Sequence, residues 1–183
     1  MKLSIIIPVF NEEGSLRELH HQITNSIKMF EEYEIVFIDD GSSDESKLII
    51  QNMIEKDPRV KLISFFRNFG KSAALSEGFK YASGDIIITM DADLQDDPNE
   101  IPALISKLNE GFDLVSGWKK KRYDPWTKTF PSKIFNFVTR ILTGVKIHDF
   151  NCGLKAYRSS VVKSIEVFGG RHRYIPALAG QKN

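Results

Sequence analysis

The sequence predicts an α/β fold, a Rossmann-like, mostly parallel sheet with helices on both faces. Three observations predict it. Short apolar runs rich in β-branched and aromatic residues alternate with longer stretches whose apolar residues recur every three or four positions. The short runs are apolar almost throughout, as strands covered on both faces are. Polar clusters follow the runs, at what would be the carboxyl ends of strands, where open α/β sheets bind ligands.

The elements follow in order. Residues 3–7 form the first run, which Pro8 interrupts. Leu16, Leu19, Ile23 and Ile27 carry the first helix. The second run is 35–38, and Ser43-Asp44 opens a helix with Leu48, Ile49 and Met53 as its apolar positions. The third run is 60–66. Gly70-Lys71-Ser72 opens the next helix, and Gly84 reads as its stop before the fourth run, 86–90. Asp97 reads as an N-cap, with Pro98 at the first helical position and Glu100 in the first turn. Ile101, Leu104, Ile105 and Leu108 continue that helix, and 112–115 is the fifth run. The alternation β-α-β-α-β-α-β-α-β calls for a parallel sheet.

After Gly117 the character changes. Lys119-Lys120-Lys121-Arg122 is a basic run, and in 132–145 Ile134, Phe135, Phe137, Val138, Ile141 and Leu142 nearly encircle a helix. No flexible linker intervenes, so 1–117 and 118–183 read as a sheet-bearing half and an appended subdomain. The 132–145 helix either packs on the sheet through Ile134, Val138 and Ile141 or, with the basic run, lies on a membrane surface, where each basic residue contributes about 1 kcal/mol.

The chain has 183 residues, 42% hydrophobic and 27% charged, with a net charge of +1. Such a balance fits one globular domain and gives no global field toward nucleic acid. Cys152 is the single cysteine, so no disulfide forms within the chain, and it reads as a buried packing residue. The N-terminal apolar run is too short for a signal peptide. No run approaches the roughly 18 apolar residues of a membrane span, so the expected location is cytosolic or peripheral.

Four polar clusters should converge on one sheet edge: Pro8 to Glu12, Asp39 to Asp44, Arg67 to Gly70 and Asp91 to Gln95. Two nucleotide signatures fail. There is no Gly-x-Gly-x-x-Gly after the first run, and Gly70-Lys71-Ser72 lacks the earlier P-loop glycine, because residue 65 is Phe65. In Asp91-Ala92-Asp93 the two carboxylates project to one side of a strand exit while Ala92 points away. Hard divalent ions take oxygen ligands, and Mg²⁺ commonly uses one or two carboxylates plus substrate phosphates. The plain alternative is turn capping, which is accepted for Asp97 but not for Asp91 and Asp93. Asp39 and Asp40 are open between donor contacts and turn formers before Gly41. Arg67 and Lys71 are open between site charges and solvated surface charges. His20 and His21 read as surface residues, and Asn11 as a helix cap.

"IIIPVFNEE", "IDDGSSD", "SGDIIITMDADLQDDP" and "DFNCGLKAYR", in this order, resemble family 2 inverting glycosyltransferases of the A-type fold. Within that family the resemblance is to polyprenol-phosphate hexose synthases, and it runs from Lys2 to about Ala179. It implies that 1–117 binds a nucleotide diphosphate sugar and that 118–183 faces the acceptor and the membrane. Pro8, Phe10 and Glu12 match the motif that holds the nucleotide; Phe10 is often tyrosine in relatives. Ile38 and Asp40 match positions flanking base and ribose. Asp91, Ala92 and Asp93 match the diphosphate and metal motif, with Gln95 completing a Mg²⁺ or Mn²⁺ site. Lys119 stands where many relatives have an arginine facing the donor, which keeps the charge and loses the bidentate fork. Asp149 belongs to the acceptor-side motif, as a base for a hydroxyl acceptor or as an orienting group.

The function so implied is metal-dependent, inverting transfer of a hexose to a polyprenyl phosphate, undecaprenyl or dolichyl, with Asp93, Asp149 and Lys119 as catalytic residues. Two alternatives stay open: a saccharide hydroxyl acceptor on the same fold, and a non-catalytic nucleotide-sugar-binding domain. The implied partners are the nucleotide sugar, the lipid phosphate and a membrane surface, with a homo-oligomer possible and nucleic acid excluded. The implied location is the cytoplasmic face of a membrane. Relatives continue beyond 172–176 with further basic residues and often transmembrane helices, so this sequence is expected to be a fragment or a truncated product.

Overall fold

A computed structural model of the chain describes residues 1–118, 152–165 and 175–176. In chain order the elements are β1 (Leu3–Val9), α1 (Leu16–Ser26), β2 (Tyr33–Asp39), α2 (Ser46–Lys56), β3 (Val60–Ser64), α3 (Lys71–Tyr81) and β4 (Ile86–Thr89). A 3₁₀ turn (Pro98–Glu100), α4 (Ile101–Asn109), β5 (Leu114–Ser116), β6 (Lys155–Arg158) and α5 (Ser159–Ser164) follow. The predicted 132–145 helix, Lys119 to Arg122 and Asp149 lie outside the described residues.

The strands form one six-stranded sheet in the order β3-β2-β1-β4-β6-β5. β1 pairs in parallel with β2 and β4, and β2 with β3. β6 is antiparallel to both β4 and β5. It comes from residues beyond 117, which the sequence reading placed in the second half without assigning a strand there. Lys155-Ala156-Tyr157-Arg158 is too short and too mixed to announce itself, and its partners are remote in sequence.

Period-2 alternation divides the core between the two faces. Leu3, Ile5, Ile7, Ile35, Phe37, Ile86 and Ile88 point to the side covered by α1, α2 and α4. Ile6, Val36, Ile38 and Ile87 point to the side covered by α3 and α5, with Phe79 edge-on to Tyr157 at 5.8 Å. Pro8 stays inside β1, opposite Ile38 of β2. It shares the β4-facing side with Ile6, and the β4 ladder has already ended at Thr89, so its missing N–H costs no sheet bond.

Several local expectations are corrected. Leu48 faces outward at 54% exposure and Ile50 is buried in its place, because α2 begins at Ser46 and its buried stripe runs Ser46, Ile49, Ile50, Met53. Asp97 does cap, accepting from Asn99 N–H at 2.9 Å, but it caps the 3₁₀ turn that precedes α4. Gly84 is not a left-handed helix stop. It is required because a Cβ there would lie 2.7 Å from Ser4 N. His20 is half-buried, and burial, partly offset by Asp57, lowers its pKa.

That tight approach is tied by a buried polar knot at the amino-terminal edge of the sheet. Gly84 N–H donates to Ser4 Oγ at 2.8 Å, and Ser4 Oγ donates to Glu34 Oε1 at 2.6 Å. Ser83 adds its N–H and hydroxyl to the same oxygen, each at 2.8 Å. Burial alone would raise the Glu34 pKa. The bonds from Ser4 and Ser83, with the Lys2 charge, outweigh it, so the folded value lies below the ordinary 4.5. A depressed folded pKa contributes stability above the unfolded value and loses it as pH falls through the folded one. Glu34→Gln should therefore cost about 1–3 kcal/mol at neutral pH. Denaturant titrations should show the gap to the unchanged chain narrowing below pH 4.5.

Candidate active site at the strand-order reversal

β1 feeds α1 and β2 on one face, β2 feeds α2 and β3 on the same face, and the chain then crosses the opposite face through α3 to place β4 on the other side of β1. The loops leaving β1 and β4 therefore part, which makes a crevice beyond their carboxyl ends. A cavity of about 330 Å³ occupies it. β1 and its loop supply Pro8, Val9, Phe10 and Glu12, the β2 exit supplies Asp40, the β3–α3 loop supplies Asn68 and Gly70, the start of α3 supplies Lys71, and the β4 exit supplies Asp91, Ala92 and Asp93.

The rim is built by interlocked loops. Asn11 sits at φ 56°, its N–H donating to Ser42 Oγ at 3.0 Å and its Oδ1 accepting from Ser43 N–H at 2.8 Å. It ties the first two loops together and is not a helix cap, since Ser15 holds that place in α1. Glu12 N–H donates to Ser46 Oγ at 2.9 Å, Glu13 N–H to Asp44 at 3.1 Å and Glu45 N–H back to Glu13 at 2.9 Å. Asp39 is a turn former, accepting from Ser42 N–H at 3.0 Å and from Ser64 Oγ at 3.1 Å.

Asp40 does two things. It lines the cavity, and its buried carboxylate accepts from Phe69 N–H at 2.7 Å and Gly70 N–H at 2.8 Å. Those bonds fix the loop that enters α3. The loop also needs Gly41, at φ 72°, where a Cβ would lie 2.4 Å from the Arg67 carbonyl carbon. Lys71 follows as the first residue of α3, and its ammonium donates to Asp91 Oδ1. Arg67 instead lies over the exposed rings of Phe69, at 4.8 Å, and Phe66, at 5.6 Å.

At the β4 exit, Ala92 is buried and Asp93 exposed. Asp93 Oδ1 accepts from Gln95 N–H at 3.1 Å across Leu94, which is held at φ 60°. A left-handed leucine is uncommon and carries backbone strain of the kind that collects at functional turns. The Glu12 pKa is raised, first by burial and then, against a bond from Ser15, by Asp93, Asp44 and Asp91. The carboxylates are thus near enough to repel in a crevice where, among the described residues, Lys71 is the lining cation.

The structure brings Pro8, Phe10, Glu12, Asp40, Asp91, Ala92 and Asp93 to one cavity, as the sequence reading required. Two residues go elsewhere. Ile38 is wholly buried in the core against Gly78 of α3 and does not line the cavity. Gln95 lines a neighbouring cavity of about 400 Å³, with Asp96, Asp97, Glu100, Trp118 and Cys152. Lys119 and Asp149 lie outside the described residues. The reading counted Asn68 only within the Arg67 to Gly70 cluster and left Lys71 open, although a lysine opening a helix after Gly70 on the ligand edge was a usable signal.

Among the described residues no group of three or more His, Cys, Asp or Glu side chains is arranged to hold a metal ion. Asp91 and Asp93 offer two carboxylates at the lip of a cavity whose anions repel one another. That donor set fits Mg²⁺ or Mn²⁺ when substrate phosphates complete the shell.

Known proteins share this fold. Among solved structures, a mannosyltransferase from Pyrobaculum calidifontis in complex with GDP-mannose and Mn²⁺ matches at TM-score 0.68 and 21% identity, covering 91% of this chain and 47% of that one. Glucosyl-3-phosphoglycerate synthase from Mycobacterium tuberculosis, with Mn²⁺ and UDP-glucose, matches at 0.67 and 21%, covering 90% and 58%. These likenesses show the A-type glycosyltransferase fold. By sequence, the undecaprenyl-phosphate 4-deoxy-4-formamido-L-arabinose transferase of Shewanella sediminis is 44% identical over 179 residues, 97% of this chain and 54% of the relative. The dodecaprenyl-phosphate galacturonate synthase of Rhizobium johnstonii is 36% identical over 181 residues, with the same shares. The chain spans about half the length of these curated relatives. With residues 4–166 matching the model of glycosyl transferase family 2, the chain belongs to that family.

Proposed function

We propose that the chain forms the donor-binding part of an enzyme that transfers a hexose from a nucleotide diphosphate sugar to a polyprenyl phosphate with inversion. The observation that carries the reading is the meeting of Asp91 and Asp93 with Lys71 at the mouth of a cavity set on the strand-order reversal. The acceptor class rests on the two relatives that are named for undecaprenyl and dodecaprenyl phosphate. Residues 1–117 hold the donor and 118–183 serve the acceptor.

Pro8 and Phe10 flank the nucleoside, and Asp40 both borders it and fixes its floor. Asp91 and Asp93 would hold Mg²⁺ or Mn²⁺, which supplies positive charge against the departing diphosphate. Lys119 adds a second cation to that leaving group. A lipid phosphate is already anionic near neutrality and needs no general base, so Asp149 serves to orient the acceptor end. The Lys119 to Arg122 run draws the site to an anionic surface such as the cytoplasmic leaflet presents.

Three measurements test this. Calorimetry with UDP and GDP should find one nucleotide whose binding is strengthened by Mn²⁺ and weakened by chelator. Asp93→Ala should remove that gain by at least the roughly 10- to 100-fold that loss of an outer-shell partner costs. Binding indifferent to both changes would take the Asp91-Ala92-Asp93 turn out of its assigned role. Asp40→Ala should weaken nucleotide binding and also lower stability by about 1–3 kcal/mol, since two backbone N–H groups lose their acceptor. Unchanged denaturant midpoints would show that the loop holds itself. In a radiolabelled-sugar transfer assay on the full-length protein, Asp149→Asn should slow transfer to polyprenyl phosphate without abolishing it. Complete loss would favour a general base and a hydroxyl acceptor.

A further inference from the structure

The Asp91 carboxylate is held from two sides. Lys71 takes Oδ1 from the α3 side. On the other side stands Gly153, from the segment that enters β6. A Cβ at residue 153 would lie 2.5 Å from Asp91 Cγ, 2.7 Å from Asp91 Oδ1 and 2.6 Å from Asp96 Oδ2. Asp96 is itself buried, and its Oδ2 accepts from Asp91 N–H at 3.4 Å. The backbone of Gly153 is thus packed against the two carboxylates of the β4 exit.

Its seat is fixed. Thr89 Oγ1, at the end of β4, donates to the Gly153 carbonyl at 2.8 Å in a buried bond. Lys155 donates to the Cys152 carbonyl, and Gly117 N–H donates to the Leu154 carbonyl at 2.9 Å. The segment cannot retreat without breaking these bonds. Gly153 does not have a positive φ, so its backbone is open to any L-residue. A glycine is needed here for space, not for conformation. An added methyl group meets two short side chains rather than backbone, so the strain is relieved by turning the carboxylates and not by unfolding the sheet.

We propose that Gly153 is a positioning residue that sets the aim of the Asp91 carboxylate. By it the acceptor-side segment, which does not itself line the nucleotide cavity, governs how tightly the donor site holds a metal-bound diphosphate.

 The inference rests on the reading of Asp91 as part of the donor's metal and diphosphate site.

The test is calorimetry of the nucleotide, UDP or GDP, that the unchanged chain binds more tightly with Mn²⁺, measured with Mn²⁺ and with chelator. Gly153→Ala should lose about 10- to 100-fold of affinity in Mn²⁺, the range seen when a group that orients a metal ligand is changed. Its affinity in chelator and its melting temperature should stay close to those of the unchanged chain. An undiminished Mn²⁺ gain in Gly153→Ala overturns the inference, and so does an equal loss with and without Mn²⁺, which marks general damage. If Gly153→Ala does not fold, Thr89→Val carries the test: it frees the Gly153 carbonyl without adding bulk. It should give a smaller loss confined to the Mn²⁺-dependent part, and no loss overturns the inference. Failure of the unchanged chain to gain affinity from Mn²⁺ overturns the donor-site reading itself, and the inference falls with it. The two failures differ in whether the unchanged chain responds to Mn²⁺.

Discussion

Everything at the ligand edge depends on one topological constraint, the reversal of strand order at β1. Because α1 and α2 cover one face and α3 the other, β2 and β4 lie on opposite sides of β1. The loops that leave β1 and β4 are therefore carried apart, and no side chain has to be spent on opening a crevice between them. The packing that enforces the reversal is tight. Gly78 of α3 lies so close to β1 and β2 that a Cβ would be 2.4 Å from Ile6 Cγ2 and 3.0 Å from Ile38 Cδ1.

The ligand edge gathers acidic side chains, and the structure gives them different tasks. Asp39, Asp40, Asp44 and Asp97 accept from backbone N–H groups and shape turns. Such bonds satisfy loop donors that have no sheet or helix partner. Asp91 is balanced by Lys71, while Asp93 stands exposed at the lip. Glu12 feels the remaining repulsion, which adds to the effect of burial in raising its pKa. A site that, among the described residues, concentrates negative charge beside Lys71 is suited to a ligand that arrives with a cation.

β6 joins the two halves of the chain. It fills the place between β4 and β5, so a segment from beyond residue 117 completes the sheet next to the strand that carries Asp91. The Thr89 hydroxyl and the missing side chain of Gly153 make that junction close. Strand pairing over such a sequence separation is set by the assembled sheet, and it brings the motif containing Cys152 and Gly153 against the β4 exit.

The sequence by itself determined the alternating strands and helices, the doubly covered sheet and the edge on which the polar clusters meet. Those features follow from local periodicity, and strand runs such as 86–90 are legible because burial on both faces demands apolar residues at every position. It also marked Pro8, Phe10, Glu12, Asp40, Asp91 and Asp93 as residues of one site, since each follows an apolar run. Only the tertiary structure decided the rest. It removed Ile38 to the core and Gln95 to the neighbouring cavity, because which way a side chain faces at a strand end depends on the layer packed above it. It turned Gly84 from a helix stop into a point of close approach, made Gly153 another, and paired Lys71 with Asp91 across 20 residues. Contacts between elements depend on how those elements dock, and no local pattern carries that information.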